Sequence, residues 1–229
     1  MFETLKEKVA EANLELVRRQ LVTLTWGNVS GISDDREYVA IKPSGVDYRT
    51  MKANDMAVVD LRGEPVEQGW KPSSDLSTHL MLYRHFSEVG GIAHTHSTHA
   101  TMFAQSRMEI ECLGTTHADH FHGTVPVTRP LTEEEVREDY ERHTATVILE
   151  RFRYLSAVEM PAVLVAGHGP FTWGSDPKEA VKNAVALEAV AQMALGTRML
   201  RTPPPELESH VLEKHYQRKH GKDAYYGQG

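Results

Sequence analysis

Gly90-Gly91-Ile92-Ala93-His94-Thr95-His96-Ser97 reads as a small-residue turn, a short extended run and two imidazoles separated by one residue. On a β-strand successive side chains point to opposite faces, so His94 and His96 leave one face while Ala93 and Thr95 leave the other. Two imidazoles on one face form a claw for a metal ion, although a lone His-x-His also fits an ordinary surface strand or loop. Two further donors come from loop-like segments. Asp75 follows Lys71-Pro72-Ser73-Ser74, and His168 stands between glycines in Ala166-Gly167-His168-Gly169-Pro170. Three imidazoles with one carboxylate oxygen suit Zn²⁺ or a similar divalent ion. Each piece also has a plainer reading: Ser73-Ser74-Asp75 as a helix cap, Gly167-His168-Gly169 and Ser44-Gly45 as turns.

Outward from this stretch, Leu5, Val9, Ala12 and Leu16 recur at helical spacing, and the β-branched run Leu21 to Trp26 reads as a strand. Gly27-Asn28-Val29-Ser30-Gly31 follows, then a hairpin tip at Asp34-Asp35 and a strand from Glu37 to Ile41 that stops at Lys42-Pro43-Ser44-Gly45. Met56 to Leu61 is a further strand, with a short partner over Pro65 to Glu67 after the turn at Gly63. Helices are expected after Asp75, from Ser97 to Gln105, from Thr132-Glu133-Glu134-Glu135 to about Tyr154, from Asp176-Pro177 to about Met199, and from beyond Pro203-Pro204-Pro205 to His220. Val125 to Thr128 is expected to be extended, and Pro161 to Ala166 has the pattern of a buried strand. Early hairpins and the lack of a regular βαβ beat or a glycine-rich dinucleotide fingerprint favour an α/β layered sandwich over a Rossmann fold. Its central sheet should be mainly antiparallel and flanked by helices.

The 229 residues, 40% of them hydrophobic, suffice for one sizeable core, and no composition break divides residues 1–229. A formal charge of −7 argues against general nucleic-acid affinity, which needs a basic surface. The single cysteine, Cys112, excludes an intrachain disulfide and any cysteine-based zinc knuckle. Charges interrupt Met1 to Lys8, and no uncharged run reaches membrane-spanning length, so a cytoplasmic location without membrane attachment is expected.

Six motifs stand in order along the chain. They are Thr25-Trp26-Gly27-Asn28-Val29-Ser30, Lys42-Pro43-Ser44-Gly45, Lys71-Pro72-Ser73-Ser74-Asp75, His94-Thr95-His96-Ser97, Gly114-Thr115-Thr116-His117-Ala118-Asp119 and Tyr225-Tyr226-Gly227-Gln228. Together they resemble the class II sugar-phosphate aldolase/epimerase superfamily and, within it, the L-ribulose-5-phosphate 4-epimerases. The likeness runs from about Leu14 to the C-terminus. It implies a central antiparallel sheet between helical layers and a homotetramer with active sites at subunit interfaces. It also implies a site for Zn²⁺, or for Mn²⁺ or Co²⁺, at Asp75, His94, His96 and His168. Substrate and phosphate contacts are implied for Gly27, Asn28, Ser44, Gly45, Ser73 and Ser74, with Lys42 as an added charge. His215 and Arg218 of the last helix are candidates to reach a neighbouring subunit's phosphate pocket. Asp119 and Tyr226 are implied as the two proton-transfer groups, the tyrosine coming from the neighbouring chain. Two positions depart from the usual pattern: His99 stands where an aromatic is expected, and His120 where a tyrosine is common. His79 and the other histidines read as surface or packing residues.

The implied substrate is a pentulose phosphate with its carbonyl at C2 and its inverted centre at C4. A C4 proton is not acidic enough for simple deprotonation. Breaking C3–C4 in a retro-aldol step solves this, because a divalent cation can neutralise the charge left on the ketone fragment. Glycolaldehyde phosphate then turns over while its phosphate stays anchored, and two acid/base groups serve its two faces. The nearest competing reading is an aldolase of the fuculose-phosphate type, in which a Glu normally stands at the position of Asp75. A non-catalytic metal-binding module on the same scaffold is the third.

Overall fold

The computed structural model describes residues 2–225; Tyr226, Gly227 and Gln228 of the last motif lie outside them. Six strands form one sheet in the order β3-β2-β1-β4-β6-β5, and every neighbouring pair is antiparallel. They are β1 (Asn28–Ile32), β2 (Tyr38–Ile41), β3 (Ala57–Asp60), β4 (Gly91–His94), β5 (Ala162–Leu164) and β6 (Pro170–Gly174). Seven helices flank the sheet: α1 (Glu3–Arg18), α2 (Leu76–His85), α3 (Thr98–Ser106), α4 (Thr115–Ala118), α5 (Glu133–Arg151), α6 (Pro177–Leu200) and α7 (Ser209–His220). The expected layered α/β sandwich is the observed fold. Among the described residues no helix is long and apolar enough to cross a membrane.

The pleat sorts side chains into two layers. Val29, Ala40, Val58 and Ala93 point to the face covered by α1 and α6, where they meet Val9, Ala12, Leu16, Val181 and Ala184. Ile32, Val39, Val59, Ile92, Phe171 and Trp173 point to the other face and pack with Leu80, Leu82 and Tyr83 of α2 and with Ile148 of α5. Fully buried Asn13 of α1 serves the sheet directly, donating to the Val29 carbonyl and accepting from the Val29 N–H at 2.8 Å. Helix α6 opens as its sequence predicts: Asp176 accepts from the Glu179 N–H at 2.7 Å, and Pro177 fills the first helical position. That opening lies so close to β4 that a Cβ on Gly91 would sit 2.3 Å from the Pro177 nitrogen.

Several local expectations are corrected. Leu21 to Trp26 is no strand: Leu24 adopts a left-handed backbone (φ 56) and the chain turns there, so the first strand is Asn28–Ile32 instead. Pro65 to Glu67 makes a single bridge, Val59 to Pro65, and Val125 to Thr128 makes isolated bridges to Ile110 and Leu164. Strand β6 has no counterpart in the sequence reading. Helix α5 ends at Arg151 and is broken at Asp139, whose φ −164 and ψ 90 are not helical.

Candidate metal centre

Asn28 of β1, His94 of β4 and Phe171 of β6 lie side by side in register at one end of the sheet, on the face that α2 covers. Strand β4 ends at His94, but the Thr95 N–H still bonds the Pro170 carbonyl, which keeps the chain extended into His96. The buried His94 ring stacks on Phe171 with centroids 4.2 Å apart, and its Nδ1 donates to the Pro170 carbonyl at 2.9 Å. Its Nε2 is thereby left as a lone-pair donor, 3.1 Å from Nε2 of His96. His168 sits on the tight connection between β5 and β6, closed by Val165 N–H to the Gly169 carbonyl and made possible by Gly167 at φ 75.

One nitrogen from each of His94, His96 and His168 lies within 4.8 Å of the other two. Nitrogens 2.0–2.1 Å from a tetrahedral ion are about 3.3 Å apart, so the His94–His96 separation suits a shared cation. Burial, then His94 and His96, push the His168 imidazole down to about 3; burial and His94 lower His96 as well. Neutral imidazoles are the form that binds metal. The donor set therefore fits a divalent transition ion.

Asp75 stands beside this cluster and is not a member of it. It occupies the N-cap position of α2 but makes no capping hydrogen bond; its Oδ2 accepts from the Asn28 amide at 2.7 Å. Burial alone would raise its carboxyl, but His94, His79 and the Asn28 amide together hold it below the ordinary carboxylate value. The same Asn28 nitrogen donates to Ser73 Oγ at 3.1 Å. Two loops are latched together there, Ser44 N–H to the Lys71 carbonyl at 2.9 Å and Ser73 N–H to the Lys42 carbonyl at 3.0 Å. Ser44, Gly45 and Ser74 lie on this pair of loops, and Gly45 takes φ 70. Gly27 (φ 79) fits where a Cβ would meet the His94 carbonyl at 2.8 Å. Lys42 is buried, with its ammonium toward the Thr25 and Pro43 carbonyls and 4.7 Å from the Tyr48 ring centroid.

Asp119 is placed elsewhere. It follows α4 and receives Arg218 Nε at 2.9 Å, Arg218 Nη2 at 2.6 Å and His215 Nδ1 at 3.1 Å, all from α7 of the same chain. His120 beside it accepts from Lys219 Nζ at 3.3 Å and lines a groove of about 980 Å³ between α1 and α6. His99 pairs with Glu188 of α6 at 2.7 Å, and the same carboxylate takes the N–H groups of His99 and Ala100 at the start of α3.

Two residues near the triad carry no signal that the sequence reading used. Fully buried His79 shares a 2.6 Å hydrogen bond with Ser30 Oγ, and its ring meets Phe171 edge-on at 6.0 Å. Its four-residue offset from Asp75 on a helix is the signal that could have found it. Tyr140 brings its hydroxyl to 3.3 Å from His168 Nδ1, and nothing in the local sequence announces that.

Residues 7–195 match the profile of the Class II Aldolase and Adducin N-terminal domain. An L-fuculose 1-phosphate aldolase superposes with a TM-score of 0.79 at 24% identity, over 94% of this chain and 95% of that one. YgbL from Klebsiella pneumoniae, a putative aldolase/epimerase/decarboxylase, gives 0.73 at 24% identity over 92% and 97%. The L-fuculose-1-phosphate aldolase from Thermus thermophilus gives 0.66 at 24% identity over 87% and 98%. The sheet order, the imidazole cluster and the profile agree: the chain belongs to the class II aldolase and adducin N-terminal domain family.

Proposed function

We propose that the chain is a divalent-metal-dependent sugar-phosphate epimerase interconverting L-ribulose 5-phosphate and D-xylulose 5-phosphate. The observation that carries this reading is the bridge made by Asn28, whose one amide nitrogen holds both Ser73 of the paired loops and Asp75 beside the three imidazoles. The loops that carry Ser44, Ser73 and Ser74 are thus tied to the imidazole cluster, the arrangement expected of a site that takes a sugar phosphate. In this reading His94, His96 and His168 would hold Zn²⁺, Mn²⁺ or Co²⁺, with Asp75 beside them as the proposed fourth ligand, and the ion would supply the positive charge that stabilises the electron pair left on the ketone fragment when C3–C4 breaks. Ser44, Gly45, Ser73 and Ser74 donate to the phosphate through hydroxyl and backbone N–H groups, with Gly27 and Asn28 completing the wall and Lys42 adding charge from beneath. Anchoring at the phosphate lets the aldehyde end turn over without escaping.

Asp119 and Tyr226 are the proposed proton-transfer groups on the two aldehyde faces. Asp119 is bound to His215 and Arg218 of α7 of its own chain, and in this reading it serves a neighbouring chain's site in a homotetramer. The test is a coupled assay of L-ribulose 5-phosphate conversion to D-xylulose 5-phosphate. Turnover abolished by a chelator and restored by Zn²⁺ or Mn²⁺ is expected; no turnover of the fully loaded protein rejects the reading. The second reading, a fuculose-phosphate-type aldolase, is favoured by the likeness to solved proteins of that name. Net accumulation of a triose phosphate or of glycolaldehyde phosphate would select it, whereas the short carboxylate of Asp75 favours the epimerase.

A further inference from the structure

We propose that Tyr140 is a positioning residue of the metal centre, its hydroxyl receiving the Nδ1 hydrogen of His168 so that the other ring nitrogen faces His94 and His96. The inference rests on the metal-binding part of the reading above and adds a residue to it.

The two ring nitrogens of a metal-bound imidazole divide their work. One gives its lone pair to the ion, and the other must then carry hydrogen and find an acceptor. His94 meets this requirement with the Pro170 carbonyl, 2.9 Å from Nδ1. For His168 the group in reach of Nδ1 is the Tyr140 hydroxyl at 3.3 Å, with the two rings 5.8 Å apart and tilted by 46°. A phenol oxygen can accept that hydrogen and still keep its own.

The backbone is shaped to put the tyrosine there. Helix α5 begins at Glu133 with a reciprocal cap, Thr132 Oγ1 accepting from the Glu135 N–H and the Glu135 carboxylate from the Thr132 N–H. It breaks at Asp139 and restarts at once, the Asp139 carboxylate accepting from the Arg142 N–H at 3.0 Å as a second N-cap. Tyr140 is the first residue of the renewed helix. Buried Thr78 of α2 donates to the Glu141 carbonyl at 2.5 Å, and Thr144 Oγ1 donates to the Tyr140 carbonyl at 2.9 Å, so the restart is pinned from both sides. Tyr140 is 36% exposed and lies outside the apolar cores.

The test compares Zn²⁺ affinity, by competition with a chromophoric chelator, in the full chain and in Tyr140→Phe and Tyr140→Ala. Tyr140→Phe should weaken zinc about 10–100-fold, as loss of an outer partner does. Its metal-free unfolding temperature should not change, and Tyr140→Ala should be no weaker than Tyr140→Phe by more than about threefold, since the hydroxyl carries the effect. The ¹H–¹⁵N signal of His168 Nδ1 in the zinc-loaded chain should move in Tyr140→Phe. Zinc affinity within twofold of the unaltered chain, or an unmoved His168 signal, overturns the proposal. An unaltered chain that takes up no zinc overturns both this inference and the metal centre, whereas zinc uptake without epimerase turnover leaves this inference standing.

Discussion

Asn28 and His94 face each other across β1 and β4, so the residue that grips Asp75 and the residue that heads the imidazole triad are fixed by one rung of the sheet. The proposed metal centre and the proposed anion loops are thereby joined through one side chain, that of Asn28.

Removing the Asn28 amide should uncouple them. Asn28→Ala leaves Asp75 Oδ2 and Ser73 Oγ without their shared donor, and zinc should weaken by about 10–100-fold. Inorganic phosphate should also protect the loops 42–45 and 71–74 from hydrogen exchange less well than in the unaltered chain. Parallel zinc competition and exchange measurements check this; an effect on neither would show that the bridge is ornamental.

Asp119 couples α4 to the last helix. Asp119→Asn should lose about 1–3 kcal/mol of local stability, because a charge-assisted pair with Arg218 is replaced by a weaker contact. Amide exchange over Ser209–His220 should then speed by about tenfold or more. Turnover should collapse while zinc uptake stays unchanged, since Asp119 makes no contact with the triad. Loss of zinc from this variant would contradict the division of roles.

His117 contributes to an acid limit on the fold, together with His79, His120 and His168, whose imidazoles burial also lowers. It is buried, with Nε2 donating to the Gly123 carbonyl at 2.7 Å, and burial pushes its imidazole down to about 4 against that hydrogen bond. The unfolded chain takes the proton near pH 6.5, so between about pH 6.5 and 4 unfolding binds a proton and stability falls as pH falls. His117→Gln should flatten this limb in denaturant titrations of the metal-free chain at pH 7, 5.5 and 4. An acid limb as steep as before would contradict it.

The layered fold and the His-x-His claw are legible in the sequence because both follow from periodicity and spacing. His168 is legible as a candidate because glycines on both sides mark a tight turn, and Gly167 does take the left-handed backbone that a turn needs. Strand β6 escapes because Pro170 opens it and Gly174 closes it, which makes five residues look like punctuation. Leu21 to Trp26 misleads in the opposite sense: a β-branched run signals a strand only when a neighbour takes its hydrogen bonds, and here Asn28 onward occupies the place beside β4. Tyr140 is invisible because an acidic run reads as one continuous helix, whereas the chain breaks at Asp139 and Thr78 of another helix holds the next turn at the Glu141 carbonyl.

His94, His96 and His168 are expected to hold one divalent ion. Equilibrium dialysis of the chain against Zn²⁺, followed by metal analysis, tests it directly, with His168→Ala and His117→Ala dialysed alongside. One tightly held ion per chain is expected, lost in His168→Ala and retained in His117→Ala. Equal zinc retention by the His168→Ala variant and the unaltered chain would contradict it.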